Sequence, residues 1–116
     1  MKLYSILKNL ADISNNIRVC GSINPSSSMT FNIPSSHFFL IVLHGVYTSQ
    51  TAIIEAYVNS SGTSYARIMA VPETAQSRDF TVTTSTNSIT VSNTHSTGYI
   101  TAVHLIGIDV KNITLS

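Results

Sequence analysis

Residues 51–71 read TAIIEAYVNSSGTSYARIMAV, two runs of β-favouring residues on either side of an Asn-Ser-Ser-Gly cluster. A three-residue loop Ser60-Ser61-Gly62, with the glycine in the left-handed conformation, closes such a pair into a hairpin. Pairing Asn59 with Thr63 then sets Tyr57 opposite Tyr65, Glu55 opposite Arg67 and Ile53 opposite Met69. The other face pairs Val58 with Ser64, Ala56 with Ala66 and Ile54 with Ile68. Successive side chains of a strand point to opposite sides, so the small aliphatic face reads as core. The face with an aromatic pair and an opposite-charge pair reads as partly exposed. A slip of one residue would exchange the two faces, so the pattern itself specifies the register.

A second hairpin is predicted downstream, turning through Thr84-Ser85-Thr86-Asn87. It would place Phe80 opposite Val91 and Val82 opposite Ile89 inward, with Thr81 opposite Thr90 outward. Strand-like segments recur at 18–22, 29–33, 37–47, 51–59, 63–71, 79–84, 88–92 and 98–110. Ser, Asn, Gly and Pro clusters separate them, the rhythm of an all-β antiparallel sandwich, jelly-roll-like, of about eight strands.

Ahead of the strands the period is different. Leu3, Ile6, Leu10, Ile13 and Ile17 are spaced 3, 4, 3, 4, an apolar seam of a short α-helix over residues 1–17, with the sandwich domain over 18–116. A helix of about 16 residues is marginal alone in water. It must pack on its own sheet or meet the same helix from other subunits, and Tyr4 and Leu7 widen its apolar face toward a three-stranded bundle or a docked helix.

Two strands do not alternate. In HFFLIVLHGVY (37–47), Phe38, Leu40, Val42 and Val46 share one side, and Phe39, Ile41, Leu43 and Tyr47 the other. In the segment 98–110, Ile100, Ala102, Ile106 and Ile108 stand against Tyr99, Val103 and Leu105. Strands apolar on both faces imply a second covering layer, either the helix or another subunit.

The 116 residues carry six Lys or Arg and five Asp or Glu, for a net charge of +1, while 18 Ser, 14 Thr and 9 Asn supply the polar surface. No basic stripe for nucleic acid and no polybasic membrane patch can be built from that inventory. A hydroxyl-rich, weakly charged surface suits extracellular and virion proteins. Cys20 is the only cysteine, which excludes an intramolecular disulfide and a multi-cysteine zinc site, and it reads as a small buried apolar residue. The N-terminal stretch lacks the long apolar core of a signal peptide, because Lys8 and Asp12 interrupt it, and residues 37–47 are too short to span a bilayer. The glycosylation-like tripeptides beginning at Asn59 and Asn112 are therefore read as chance.

Catalytic constellations are not predicted. There is no G-x-S-x-G elbow and no glycine-rich phosphate loop, and the acidic residues are too scattered for a calcium loop or a carboxylate pair. The reading is a non-enzyme without cofactor or metal. Of the histidines, His44 and His104 lie on apolar strand faces, where they would sit close together if their strands pair, or form a ring about an oligomer axis. The bland reading of each is a histidine hydrogen-bonded to a hydroxyl. His37 and His95 fall at a strand start and in a loop, where exposure is expected. The candidate ligand-binding residues are Tyr57, Tyr65, Glu55 and Arg67, a flat platform for a sugar ring or an ordinary cross-strand pair. The candidate oligomer contacts are Leu3, Ile6, Leu10, Ile13, Ile17, His44 and His104. The polar loop 72–79 is a recognition loop or a solvated turn.

The start LYSILKNLADISNNI, a Ser-rich spacer and the ending SITVSNTHSTGYITAVHLIGI together resemble tail fibre or minor structural proteins of tailed phages and prophages of gut Firmicutes. The strand pair 89–93 and 99–107 is familiar in that setting. The resemblance covers most of the chain but carries no diagnostic motif, so no binding residue transfers with it. It implies a short helix before a small sandwich tip, a homotrimer among other virion proteins, and attachment to a host surface, with a cell-surface glycan as ligand. A carbohydrate-binding module of a bacterial surface or secreted assembly, and a ligand-free decoration or connector protein, are the alternatives.

Overall fold

Phe39, Ile41 and Leu43, then Ile54, Ala56 and Val58, then Val103 and Leu105 are each spaced by two residues, and all are buried. That spacing gives every one of these segments one side to hide, which two facing sheets do. The computed structural model describes Ser5, residues 14–72 and residues 77–116. Among them, β1 (Ile17–Ile23), β2 (Ser28–Asn32), β3 (His37–Gly45), β4 (Ala52–Val58) and β5 (Ser64–Ala70) are followed by β6 (Phe80–Ser85), β7 (Ser88–Asn93), β8 (Ile100–Gly107) and β9 (Thr114–Leu115). They form two antiparallel sheets packed as a sandwich, one in the order β1-β8-β3-β4-β5 and the other β6-β7-β2-β9. The late strands β7 and β8 return beside β2 and between β1 and β3, the nested pairing of a jelly roll. Residues 14–16 are helical and run directly into β1. The rest of the predicted helix, Ser5 apart, lies outside the described residues, as do Leu3, Ile6, Leu10 and Ile13.

The β4–β5 hairpin has the predicted register from Val58↔Ser64 through Tyr57↔Tyr65 and Glu55↔Arg67 to Ile54↔Ile68. Gly62 adopts φ +88°, and the Asn59 side-chain oxygen accepts the N–H groups of Ser61 and Thr63 at 3.0 and 2.9 Å. The expected pair Ile53–Met69 is not formed. A bulge makes Ala70 the partner of Ile53, so the edge strand carries one extra residue there.

The second hairpin departs from its predicted register by two residues. Val82 faces Val91 and Thr84 faces Ile89, while Phe80 faces Asn93. The turn is the two residues Thr86 and Asn87, because Asn87 accepts a left-handed φ of 53°. A slip of two preserves parity, and Phe80, Ile89 and Val91 still point inward. Asn87 is also the tie at this end of the sandwich. Its backbone N–H donates to Gly62 at 2.8 Å, and its side-chain amide donates to the carbonyl of Ile33 at 2.9 Å.

The opposite end is closed by two buried amides. The Gln50 side chain donates to Asn93 Oδ1 at 3.0 Å and to the Gly98 carbonyl at 2.7 Å. Asn93 Nδ2 donates to the carbonyls of Ile23 and Gly98 at 3.1 and 2.8 Å. Gly98 has no room for a Cβ, which would meet the Tyr47 ring at 2.7 Å. β3 accordingly ends at Gly45, and Val46 and Tyr47 are exposed instead of continuing the strand's two faces. Ile100 is also corrected: a register shift opposite His44 and Gly45 turns it into the core, away from the face of His104.

Removing one member of the amide network strands several buried polar groups, each costing about 1–3 kcal/mol. Asn93→Ala is therefore expected to lower unfolding stability by about 3 kcal/mol in urea titration. Thr90→Ala, on an outward row, is expected to change it by no more than about 0.5 kcal/mol.

Candidate functional site

The two sheets have contrasting outer faces. On the smaller sheet the outward rows are Thr81–Ser92–Ser28, Thr83–Thr90–Thr30 and Ser85–Ser88–Asn32. Hydroxyls pair across the strands, Ser28 with Ser92 at 2.7 Å and Thr30 with Thr90 at 2.9 Å, and Asn32 donates to the Ser116 hydroxyl at 3.1 Å. This face is fully polar and suited to water.

The outer face of the larger sheet is apolar. One row crosses five strands as Ile17–Ile106–Leu40–Glu55–Arg67, and the next runs Val19–His104–Val42–Ile53. Val19 is 71 % exposed, Phe38 56 % and Ile106 43 %. The sequence had predicted both faces of β3 and β8 to be covered. Among the described residues the inner set is covered by the smaller sheet, while in the outer set Phe38 and Ile106 are exposed and Leu40 and Val42 partly buried. Two shallow clefts open on this face. One, of about 520 Å³, is lined by Phe38, Leu40, Ile106 and Ile108 beside His37 and Asp109. The other, of about 310 Å³, is lined by Val42, His44, Ile53, Val71 and Pro72.

Tyr57, Tyr65, Glu55 and Arg67 are brought together as predicted. The Tyr57 and Tyr65 rings stack at 6.0 Å and 20°, and Arg67 pairs with Glu55 at 3.2 Å. With Arg67 largely in solvent, such a pair contributes at most about 1 kcal/mol. Phe38 joins the aromatics from β3, its ring 6.4 Å from that of Tyr57, giving a row Phe38–Tyr57–Tyr65 over three strands. Phe38 belongs to the platform but is missing from the sequence-derived set, because the pairing of β3 with β4 crosses an irregular connection that fixes no register in sequence.

His44 and His104 do lie on one face of neighbouring strands, His44 opposite Ala102 and His104 opposite Val42, so they are diagonal neighbours. Among the described residues no group of His, Cys, Asp and Glu could hold a metal ion. No helix of the described residues is long and apolar enough to cross a membrane. Ile17, the last position of the predicted seam, opens β1 and is exposed on the apolar face.

His95 is not the exposed loop residue expected. It is partly buried, its ring stacks on Tyr47 at 4.7 Å, and Nδ1 accepts the N–H of Gly98 at 2.7 Å. His37 is likewise partly buried, with Nδ1 donating to the Ser35 carbonyl at 3.2 Å. Of the loop 72–79, Glu73 and Gln76 lie outside the described residues, while Asp79 accepts the Ser49 hydroxyl at 2.6 Å and so ties the loop to a 3-10 turn, Thr48–Gln50, between β3 and β4.

A scan against protein-family models, a search of curated proteins and a search of solved structures each return no match. The site is therefore defined by its own geometry.

Cys20 is partly buried in β1 and packs against the core. Burial pushes its thiol above the ordinary cysteine value, with nearby Arg18 opposing the shift. Thiolate is the alkylating form. Native protein is expected to react with iodoacetamide at least tenfold more slowly than urea-unfolded protein at the same mildly alkaline pH, as read by mass spectrometry. Equal rates would contradict the burial.

Proposed function

We propose that this chain is a non-enzymatic structural component of a phage virion, a homotrimeric tail-fibre-type tip that attaches to the host surface. The observation that carries the proposal is the apolar outer face of the larger sheet, with exposed Val19, Phe38, Tyr65, Met69 and Ile106 on a molecule of very low charge. A contiguous apolar sheet face in a protein whose other sheet is finished in hydroxyls fits a surface made for protein contact. Low charge and abundant Ser, Thr and Asn fit a protein displayed outside cells. The resemblance of most of the chain to phage tail structural proteins supports a contact within a virion and a trimeric assembly.

A second reading, a carbohydrate-binding module, is favoured by the row Phe38–Tyr57–Tyr65 next to Glu55 and Arg67. Aromatic faces with polar groups at their margin can hold a sugar ring, apolar body against ring and hydroxyls to the polar groups. The two readings are compatible if the tip both assembles and binds.

Size-exclusion chromatography with light scattering on the full chain is expected to give about three times the 12.5 kDa chain mass at micromolar concentration. A monodisperse single-chain mass contradicts the trimer. On a glycan array, Tyr57→Ala is expected to abolish any signal that the wild type gives. An unchanged signal removes the platform from the account.

A further inference from the structure

Along one side of the sandwich the two sheets do not join. β5 pairs only with β4 and β6 only with β7, so both are edge strands, and they run beside each other without a ladder between them. At one end the gap is closed, because the Ser88 N–H donates to the Ser64 hydroxyl at 3.2 Å and the Asn87 N–H to the Gly62 carbonyl at 2.8 Å. Beyond that closure the strands enclose a cleft of about 350 Å³. Ala66, Ile68, Phe80 and Val82 form its apolar floor, with Arg67, Arg78 and Thr81 at its rim.

Main-chain groups open into the same gap. In an antiparallel ladder, alternate residues turn both N–H and C=O away from the partner strand. The bond from the Asn59 N–H to the Thr63 carbonyl fixes that alternation for β5, and the bond from the Thr94 N–H to the Asp79 carbonyl fixes it for β6. Ala66, Ile68, Phe80 and Val82 are then the residues whose main-chain groups turn away from β4 and β7. No strand among the described residues takes them up.

The charge at the cleft is positive. Arg67 pairs with Glu55 at 3.2 Å, whereas exposed Arg78 has no ion-pair partner among the described residues. Its neighbour Asp79 accepts the Ser49 hydroxyl at 2.6 Å, and no Asp or Glu lines the cleft. A guanidinium beside open main-chain N–H groups is a donor set for an oxyanion. An apolar floor with a few polar groups at its margin suits the C–H face of a sugar ring. The closed end and the volume, small for a ligand site, suit a compact ligand and not a strand running through.

We infer that the β5–β6 cleft binds an oxyanion carried on a sugar, a carboxylate or a phosphate, with Arg78 as its charge partner, Ile68 and Phe80 beneath the ring and Thr81 at its rim. The inference goes beyond the readings above, since it needs neither the oligomer nor the aromatic row.

The test is an NMR titration of the backbone amides of the full-length protein at constant ionic strength. The probes are sodium glucuronate, glucose phosphorylated on its primary hydroxyl, and glucose. Saturable shifts centred on Ala66, Ile68, Arg78 and Thr81 are expected with at least one of the two anions, and none with glucose. A response to both supports recognition of the oxyanion as such, and a response to one alone identifies carboxylate or phosphate as the source. Arg78→Gln is expected to weaken the apparent Kd about tenfold, and Thr81→Asp, which sets a carboxylate at the rim, by a similar factor. Both positions are exposed, so an unchanged spread of amide signals should show both variants folded. No saturable shift with either anion, equal shifts with glucose, or undiminished binding by Arg78→Gln overturns the inference. Any of these results leaves the trimer and the Tyr57–Tyr65 platform to their own tests.

Discussion

Alternation along a strand gives each residue one of two faces, and a two-sheet sandwich can hide only the inner pair. Everything else in this protein follows from how its two outer faces are finished. The smaller sheet ends in rows of Ser, Thr and Asn whose hydroxyls satisfy one another across strands. The larger sheet keeps Ile17, Val19, Phe38, Leu40, Val42 and Ile106 on its outside. Burying apolar area is worth about 25 cal/mol per Å². A face of this kind therefore carries a standing driving force for association, which a weakly charged molecule does little to oppose.

The connections hold that geometry in place through asparagine and glutamine instead of through charge. Asn87, just before β7, and Asn93, its last residue, tie opposite ends of the sandwich, the first to Gly62 and Ile33, the second to Ile23, Gln50 and Gly98. Buried amides of this kind are specific because each leaves a large penalty if its partners shift. They fix where β3 ends and β8 begins, and so which residues of those strands face outward. His95 supports the same corner by accepting the N–H of Gly98 while stacking on Tyr47.

Local pairing was legible in the sequence wherever a turn residue and both strand faces agreed. The β4–β5 hairpin had Gly62 for its turn, an aliphatic inner face and an ion pair outside, and its register followed. The β6–β7 hairpin had a run of Thr and Ser that fits two turns equally well, and the choice fell to the left-handed tolerance of Asn87. Bulges at Met69 and before Ala102 were not legible, because an extra residue in a ladder leaves no mark on alternation beyond its own position. Asn93 continues the inward parity of Ile89 and Val91, a signal that could have marked it as buried. Its partner Gln50, by contrast, lies in no alternating strand: it ends the 3-10 turn Thr48–Gln50, where its Oε1 accepts the N–H of Tyr47 at 3.3 Å. The platform residues Tyr57, Tyr65, Glu55 and Arg67 were legible because they pair within one hairpin, whereas Phe38 needed a long-range pairing to join them.

We propose that the β1–β8–β3 side of the apolar outer face takes part in assembly of copies of the chain, and that the aromatic row on its other side is left to a host surface. Hydroxyl-radical footprinting of the full-length protein, compared between dilute and concentrated samples, tests that division directly. The account predicts that Ile17, Val19, Leu40 and Ile106 lose reactivity on concentration while Tyr65 and Met69 keep it. Unchanged reactivity at Val19 and Ile106, or protection centred on Tyr65 and Met69, would contradict it.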